Sequence, residues 1–163
     1  MKILLIDYDA GTVSLGGDTH AYDLAKEWKK SGGKVLIAAA DYSYLRQKNP
    51  EKPQIGKIEE QDGVPFLWIK SPAAADREKK ILRGTLPFEK GLQRSMGLIS
   101  DWKPDVVLLD LVMPGIDGLG VMDKVHAEKN AESMPSFIII SGIQNESVAE
   151  NAMSAGATYY IMK

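Results

Sequence analysis

The sequence predicts a doubly wound, three-layer α/β/α fold with a parallel six-stranded sheet, formed as a single domain by residues 1–163. Short, continuous apolar runs recur along the chain, and such runs are typical of strands that are buried on both faces. Segments with helical periodicity separate these runs, and the alternation favours parallel strands joined by crossover helices. The length of 163 residues allows one domain with a substantial core and is too short for two ordinary domains.

The first half of the chain supplies three of the predicted strands. Apolar runs at residues 1–8 and 34–40 form the first two, and an amphipathic helix that ends at a Gly-Gly pair separates them. Residues 41–63 are polar and contain two prolines, which predicts a long extended loop. Residues 64–70 form the third strand, and the proline near its start suits a strand end or an edge position.

The second half of the chain is more regular. Residues 71–85 are ambiguous, and a helix follows from Pro87, a residue that suits the first turn of a helix. Apolar strands at 105–110, 137–141 and 158–162 then alternate with two further helices. Right-handed crossovers favour a strand order near 3-2-1-4-5-6, which is Rossmann-like, or its flavodoxin-like variant.

Composition excludes several classes of function. The net charge of −2 gives no electrostatic argument for binding nucleic acid or an anionic membrane. The absence of cysteine excludes disulfides and thiolate chemistry, and two histidines, His20 and His126, are too few for a histidine-rich metal site. No apolar run approaches the ~20 residues of a membrane span, and the first residues lack the features of a signal peptide. We therefore expect a cytoplasmic protein that binds neither nucleic acid nor membrane.

Polar residues end four of the predicted strands. Ligands of doubly wound sheets bind outside the carboxyl ends of the strands, at the point where the strand order reverses. Any one such residue could simply cap its strand or bond to a loop. Their convergence on one edge of the sheet favours a functional site made of Asp7, Asp110, Ser141 and Lys163.

These residue types suit phosphoryl transfer to a carboxylate. A carboxylate can attack phosphorus to form an acyl phosphate, and Asp110 is the candidate nucleophile. The reaction needs a divalent cation such as Mg²⁺, for which Asp7, Asp110 and the backbone carbonyl of Val112 are candidate ligands. It also needs a hydroxyl donor and a cation for the phosphoryl oxygens, the roles expected of Ser141 and Lys163.

The same region resembles the receiver domain of two-component response regulators. Residues 110–118, DLVMPGIDG, resemble the signature D-x-x-M-P-x-x-D-G, and Ser141 resembles the family's Ser/Thr switch position. Residues 156–163 resemble its G-A-x-x-Y-x-x-K ending, and over residues 104–163 sporulation-type regulators are the most similar. The resemblance implies a phospho-acceptor module served by a histidine kinase or a small phosphodonor, with Tyr160 as the aromatic residue whose rotamer reports phosphorylation.

Two features depart from the receiver pattern. The family has two adjacent acids after its first strand, and the second is a principal metal ligand, whereas this chain has Asp7-Tyr8-Asp9. Tyr8 occupies that second place, and Asp9 is the candidate that could substitute for the second acid as a metal ligand. The family also continues beyond its lysine into a final helix, whereas this sequence stops at Lys163. One face of the last strands is then expected to be uncovered, which predicts either self-association, as a homodimer through that face, or a partner protein.

Residues 1–103 resemble a different family, the N-terminal domain of family-4 GT-B glycosyltransferases. The resemblance rests on a first strand, a loop with paired glycines, a helix beginning near HAYDLA, a second strand and a third-strand region DGVPFLW. It implies a ligand loop formed by Gly16, Gly17 and His20 that binds a sugar nucleotide or an acceptor. A loop with a tight turn explains the glycines equally well. Transfer is not expected, because the family's nucleotide-binding carboxylates lie in a second domain.

The two resemblances meet at residues 103–107. This segment, KPDVV, would be typical of an equivalent strand in either family. We interpret the chain as a chimera of two Rossmann-like fragments, 1–103 and 104–163, and this indicates an engineered origin. Three functions stay open: a phospho-acceptor module, the ligand-binding half of a glycosyltransferase, and a folded scaffold without selected activity. Catalysis would at most be Mg²⁺-dependent self-phosphorylation.

Overall fold

The protein is described by a computed structural model that covers residues 1–71, 86–113, 118–128, 134–143 and 145–162. The strands in these ranges are β1 (Lys2–Ile6), β2 (Lys34–Ala40), β3 (Ile58–Gln61), β4 (Val64–Ile69), β5 (Val106–Asp110), β6 (Ser136–Ser141) and β7 (Tyr159–Met162). The helices are α1 (His20–Lys30), α2 (Leu86–Trp102), α3 (Gly118–Glu128) and α4 (Glu146–Ser154). Most of the segment that the sequence left ambiguous, residues 72–85, lies outside these ranges.

The strands form one mixed sheet in the order β3-β4-β2-β1-β5-β6-β7. Every pair is parallel except β3 with β4, which is antiparallel. Without β3 the order is the predicted 3-2-1-4-5-6, so the doubly wound fold is confirmed. The five strands β2-β1-β5-β6-β7 also have the flavodoxin-like order, and β4 and β3 extend the sheet beyond β2.

The prediction of six strands and of a loop over residues 41–63 is wrong in one respect. Ile58–Gln61 forms a seventh strand, which pairs with β4 through a two-residue turn at Asp62 and Gly63. Both turn residues have positive φ, 49° and 80°, as in the type I′ turn that favours Asp-Gly hairpins. The strand lies at the edge of the sheet and is mostly polar, so it lacks the apolar run that marks the buried strands.

The sheet buries an apolar layer on each face. One layer packs against α2, α3 and α4 and includes Leu4, Ile6 and Leu109. The other packs against α1 and includes Ile3, Leu5 and Leu108. This alternation places odd-numbered residues of β1 on the α1 side and even-numbered residues on the opposite side. None of the described helices combines the length and apolar character that crossing a bilayer requires.

Strand β7 is poorly covered. Tyr159 and Ile161, which pair with Ile138 and Ile140 of β6, are 63% and 47% exposed. An exposed apolar surface on an edge strand is a common site of association between chains.

Substitution of Leu36 by alanine should lower the free energy of unfolding by about 2–5 kcal/mol. This β2 side chain is 1% exposed, so its truncation leaves a cavity in the core. Urea denaturation measures the change. Leu45→Ala is the matched control, since Leu45 is 48% exposed and its loss should cost less than about 0.5 kcal/mol. Equal losses in the two variants would contradict the burial assigned to β2.

Candidate functional site

Two carboxylates meet at the carboxyl edge of the sheet, where the strand order reverses. Strands β1 and β5 pair in parallel with Ile6 opposite Leu109, so the next residues, Asp7 and Asp110, lie side by side. Both line one pocket, together with His20 at the start of α1. The first-strand acid and the proposed acceptor are therefore brought together, and His20 lies beside them.

Local hydrogen bonds orient both carboxylates. Asp7 is buried; its backbone N–H donates to the carbonyl of Ala38 at 3.1 Å and its Oδ1 accepts from the N–H of Asp9 at 3.0 Å. Asp110 is half-buried, and its Oδ1 accepts from the N–H of Val112 at 3.2 Å. Each carboxylate thus bonds to the amide two residues ahead, which turns the chain sharply at the end of its strand.

Ser141 ends the neighbouring strand, β6. Asp110 pairs with Ile140, so Ser141 lies one residue further along the same edge. Its side chain is fully buried, and its Oγ accepts from the N–H of Ile143 at 3.0 Å. The Tyr160 hydroxyl donates to the carbonyl of the same Ile143 at 2.9 Å. The predicted switch residues, Ser141 and Tyr160, therefore both hold the segment that follows β6.

The predicted fourth member of the site lies outside the described residues. Lys163 and residues 114–117 of the signature are not covered. The pairing of Lys163 with a phosphoryl group thus stays a prediction.

The donor set for a metal consists of two carboxylates. Tyr8, at the position of the family's second acid, is buried and packs edge-on against Phe88 at 4.9 Å between ring centroids. The carboxylate of Asp9, the alternative ligand, accepts a hydrogen bond from the Ser43 hydroxyl. Within the described ranges, no three acidic or histidine side chains are grouped closely enough to hold a metal. Mg²⁺ commonly uses one or two carboxylates and keeps several waters, so Asp7 and Asp110 fit a site of that kind.

The glycine loop packs against its own chain. Gly16 and Gly17 have positive φ, 69° and 89°, and a Cβ at Gly17 would lie 2.6 Å from the carbonyl oxygen of Leu45. A Cβ at Gly16 would meet the side chain of Gln47 at 2.9 Å. The close approach predicted for a ligand is thus made by the segment after β2. His20 lines the same pocket as Asp7 and Asp110, and the described lining of that pocket does not include these glycines.

The sequence predicted no role for Arg46, because residues 41–63 were expected to form a polar, extended loop. Arg46 is 5% exposed, and its side chain contacts the loop after β1 that is formed by Asp7, Tyr8 and Asp9, here called the acidic loop. Burial lowers the pKa of the guanidinium, and the nearby carboxylates of Asp9 and Asp7 oppose that shift. A single arginine in a polar segment carries no periodic signal, so only the coordinates reveal this position.

A family comparison supports the receiver resemblance. The model of the response regulator receiver domain matches residues 89–163. That range contains the acceptor candidate Asp110 and the residues Ser141, Tyr160 and Lys163.

Solved receiver structures share the fold. The BeF3-activated N-terminal receiver domain of Klebsiella pneumoniae RstA is 16% identical, with a TM-score of 0.53 over 100% of this chain and 86% of that chain. The receiver domain of Francisella response regulator 1452 is 14% identical, with a TM-score of 0.53 over 99% and 83%. Vibrio cholerae chemotaxis protein CheY4 is 12% identical, with a TM-score of 0.53 over 99% and 85%. The chain therefore has the flavodoxin-like, CheY-like α/β fold.

These comparisons bear on the two-fragment interpretation. Receiver structures align with 99–100% of the chain, including residues 1–103, and the family match begins at residue 89, ahead of the predicted junction. They support the receiver resemblance and give no support to a glycosyltransferase segment, a chimera or a designed origin.

Replacement of Gly17 by alanine should destabilise the fold more than replacement of Gly32. Both glycines have similar positive φ, 89° and 82°, so backbone strain should lower the free energy of unfolding of both variants by about 1–2 kcal/mol. Of the two, only a Cβ at Gly17 would lie within 3 Å of a backbone atom, whereas no atom of the described residues lies within 4 Å of a Cβ at Gly32. Thermal melts of the two variants measure the difference, and equal melting temperatures would contradict the packing of the glycine loop.

Proposed function

We propose that this chain is a receiver-like phospho-acceptor module in which Asp110 accepts a phosphoryl group in a Mg²⁺-dependent reaction. The observation that carries the proposal is the placement of Asp7 and Asp110 around one pocket at the strand-order reversal. The receiver-family match over residues 89–163 supports the same assignment.

The chemical step is a displacement at phosphorus. A carboxylate oxygen of Asp110 attacks the phosphorus of the donor, and a new O–P bond forms as the bond to the donor's leaving atom breaks with its electron pair. With acetyl phosphate the products are the aspartyl phosphate and acetate. With a phosphohistidine donor the P–N bond breaks and the imidazole leaves.

The surrounding residues position the reactants. Asp7 and Asp110, with the backbone carbonyl of Val112, would hold Mg²⁺, which when bound offsets the repulsion between carboxylate and phosphoryl oxygens. The Ser141 hydroxyl and the Lys163 ammonium would contact the phosphoryl oxygens as charge moves onto them. A hydroxyl of Ser141 that turned toward the phosphoryl group would give up its bond with the Ile143 amide, and Tyr160 would respond through the same segment.

Incubation with Mg²⁺ and acetyl phosphate should add one phosphoryl mass to the protein, and Asp110→Asn should abolish the gain. The amide of asparagine lacks the nucleophilic carboxylate oxygen, while its size preserves the fold. Intact mass spectrometry measures the product, and beryllofluoride binding gives an independent readout.

Asp123→Asn is the matched control, because Asp123 is an exposed carboxylate on α3 whose loss should leave the mass gain unchanged. Chelation of Mg²⁺ with EDTA should abolish the mass gain in the wild-type protein and in Asp123→Asn. A folded wild-type protein that gains no mass with excess reagent would refute the proposal and favour the scaffold without selected activity.

The homodimer expected from the sequence also belongs to this proposal. The exposed Tyr159 and Ile161 of β7 support it. Light scattering on a sizing column should give a dimer mass, and Tyr159→Glu with Ile161→Glu should return the protein to a monomer. Ile58→Glu, at the opposite edge strand β3 and 43% exposed, should leave the dimer intact. A wild-type monomer at all concentrations would contradict this partner.

A further inference from the structure

A buried arginine joins the ends of two central strands. The Nη2 of Arg46 donates to the carbonyl oxygens of Tyr8 and Ala40, at 3.1 and 2.7 Å. Tyr8 follows β1 and Ala40 ends β2, so one nitrogen bridges both strands at the carboxyl edge. The guanidinium also stacks over the Trp68 ring of β4, 5.3 Å from its centroid. The side chain is thus fixed between three strands.

The same guanidinium holds the acidic loop after β1. Its Nε donates to the carbonyl of Asp9 at 3.4 Å, and its Nη1 donates to Oδ1 of Asn49 at 3.1 Å. The Asn49 side chain also bonds to the backbone of Ser43 in both directions, at 2.8 and 3.1 Å. The Ser43 hydroxyl in turn donates to the Asp9 carboxylate. Asp9 is therefore anchored through its backbone and through its side chain.

This network reaches the candidate metal ligand in one further step. The N–H of Asp9 donates to Oδ1 of Asp7 at 3.0 Å, so the anchored residue orients the carboxylate of Asp7, a residue that lines the same pocket as Asp110. Hydrogen-bond partners that orient a metal ligand typically change metal affinity or activity by about 10–100-fold when they are removed.

The charge balance favours the same role. A buried guanidinium is unfavourable unless nearby anions compensate it. The carboxylates of Asp9 and Asp7 are the largest such contributions, and they oppose the lowering of the Arg46 pKa by burial. Arg46 thereby keeps a positive charge beneath the acidic loop.

We propose that Arg46 is a positioning residue that fixes the Asp7–Asp9 loop and so presents the Asp7 carboxylate for Mg²⁺ binding. The inference rests on the proposed function, which assigns the metal to Asp7 and Asp110. The planar fork of Arg46 reaches four acceptors on Tyr8, Asp9, Ala40 and Asn49. The single ammonium of a lysine has three donors and a different geometry, so it cannot replace the fork.

The test compares the Mg²⁺ dissociation constants of unphosphorylated wild-type and Arg46→Lys proteins by isothermal titration calorimetry. Arg46→Lys should raise the constant about tenfold or more, since the charge is kept and the fork is lost. Ile99→Ala is the control, because Ile99 is a core residue near the amino ends of the strands, beside Pro104 and Val107. Ile99→Ala should lower the melting temperature and leave the Mg²⁺ dissociation constant unchanged. Arg46→Lys would behave in the same way if the role of Arg46 were only structural.

Asn49→Ala serves if Arg46→Lys does not fold. It removes one acceptor of the guanidinium and both bonds to Ser43, leaves the charge in place, and should also raise the Mg²⁺ dissociation constant. A wild-type protein that binds no Mg²⁺, or folded variants of both kinds with the wild-type constant, would overturn the inference. Mg²⁺ binding that shifts as expected without any phosphorylation of Asp110 would instead refute the proposed function and leave the role of Arg46 intact.

Discussion

The parallel pairing of β1 with β5 is the constraint on which the candidate site depends. Four register pairs, from Ile3 with Val106 to Ile6 with Leu109, fix the two strands at the centre of the sheet. Because strand side chains alternate between faces, a slip of one residue would exchange the core-facing and opposite sets. A slip would also move Asp7 from the α1 side into the layer that holds Tyr8 and Phe88, where its carboxylate would be desolvated. The position of Asp7 beside Asp110 is therefore a consequence of core packing.

That pairing brings two negatively charged carboxylates close together, and several polar groups compensate their charge. Two carboxylates at one pocket repel each other, and a buried acid is unfavourable without compensation. Backbone amides of Asp9 and Val112 donate to Asp7 and Asp110. The guanidinium of Arg46 supplies charge from below the acidic loop. Under the proposed function, a divalent cation bound by Asp7 and Asp110 would offset the remaining repulsion between their carboxylates.

The sequence allowed prediction of the parts that are governed by periodicity. Apolar runs gave the buried strands, and right-handed crossovers gave their order, so the edge carrying Asp7 and Asp110 followed. Strand β3 was missed because its alternation is weak and its signal was the turn Asp62-Gly63. Arg46 was missed because its role depends on contacts with Tyr8, which is 38 residues away in the sequence, and with Ala40 at the end of β2.

The same alternation shows where Tyr8, at the position of the receiver family's second acid, lies in this chain. Asp7 shares the α1 side with Ile3 and Leu5, whereas Tyr8 lies with Leu4 and Ile6 in the opposite layer. An acid at position 8 would enter that layer against Phe88, where a carboxylate would be desolvated. The position holds an aromatic core residue instead, and the proposed metal site has one carboxylate directly after β1, Asp7, and one at the end of β5, Asp110. A donor set of two carboxylates would depend strongly on how firmly each one is held, so the network around Asp9 would affect the chemistry proposed for Asp110.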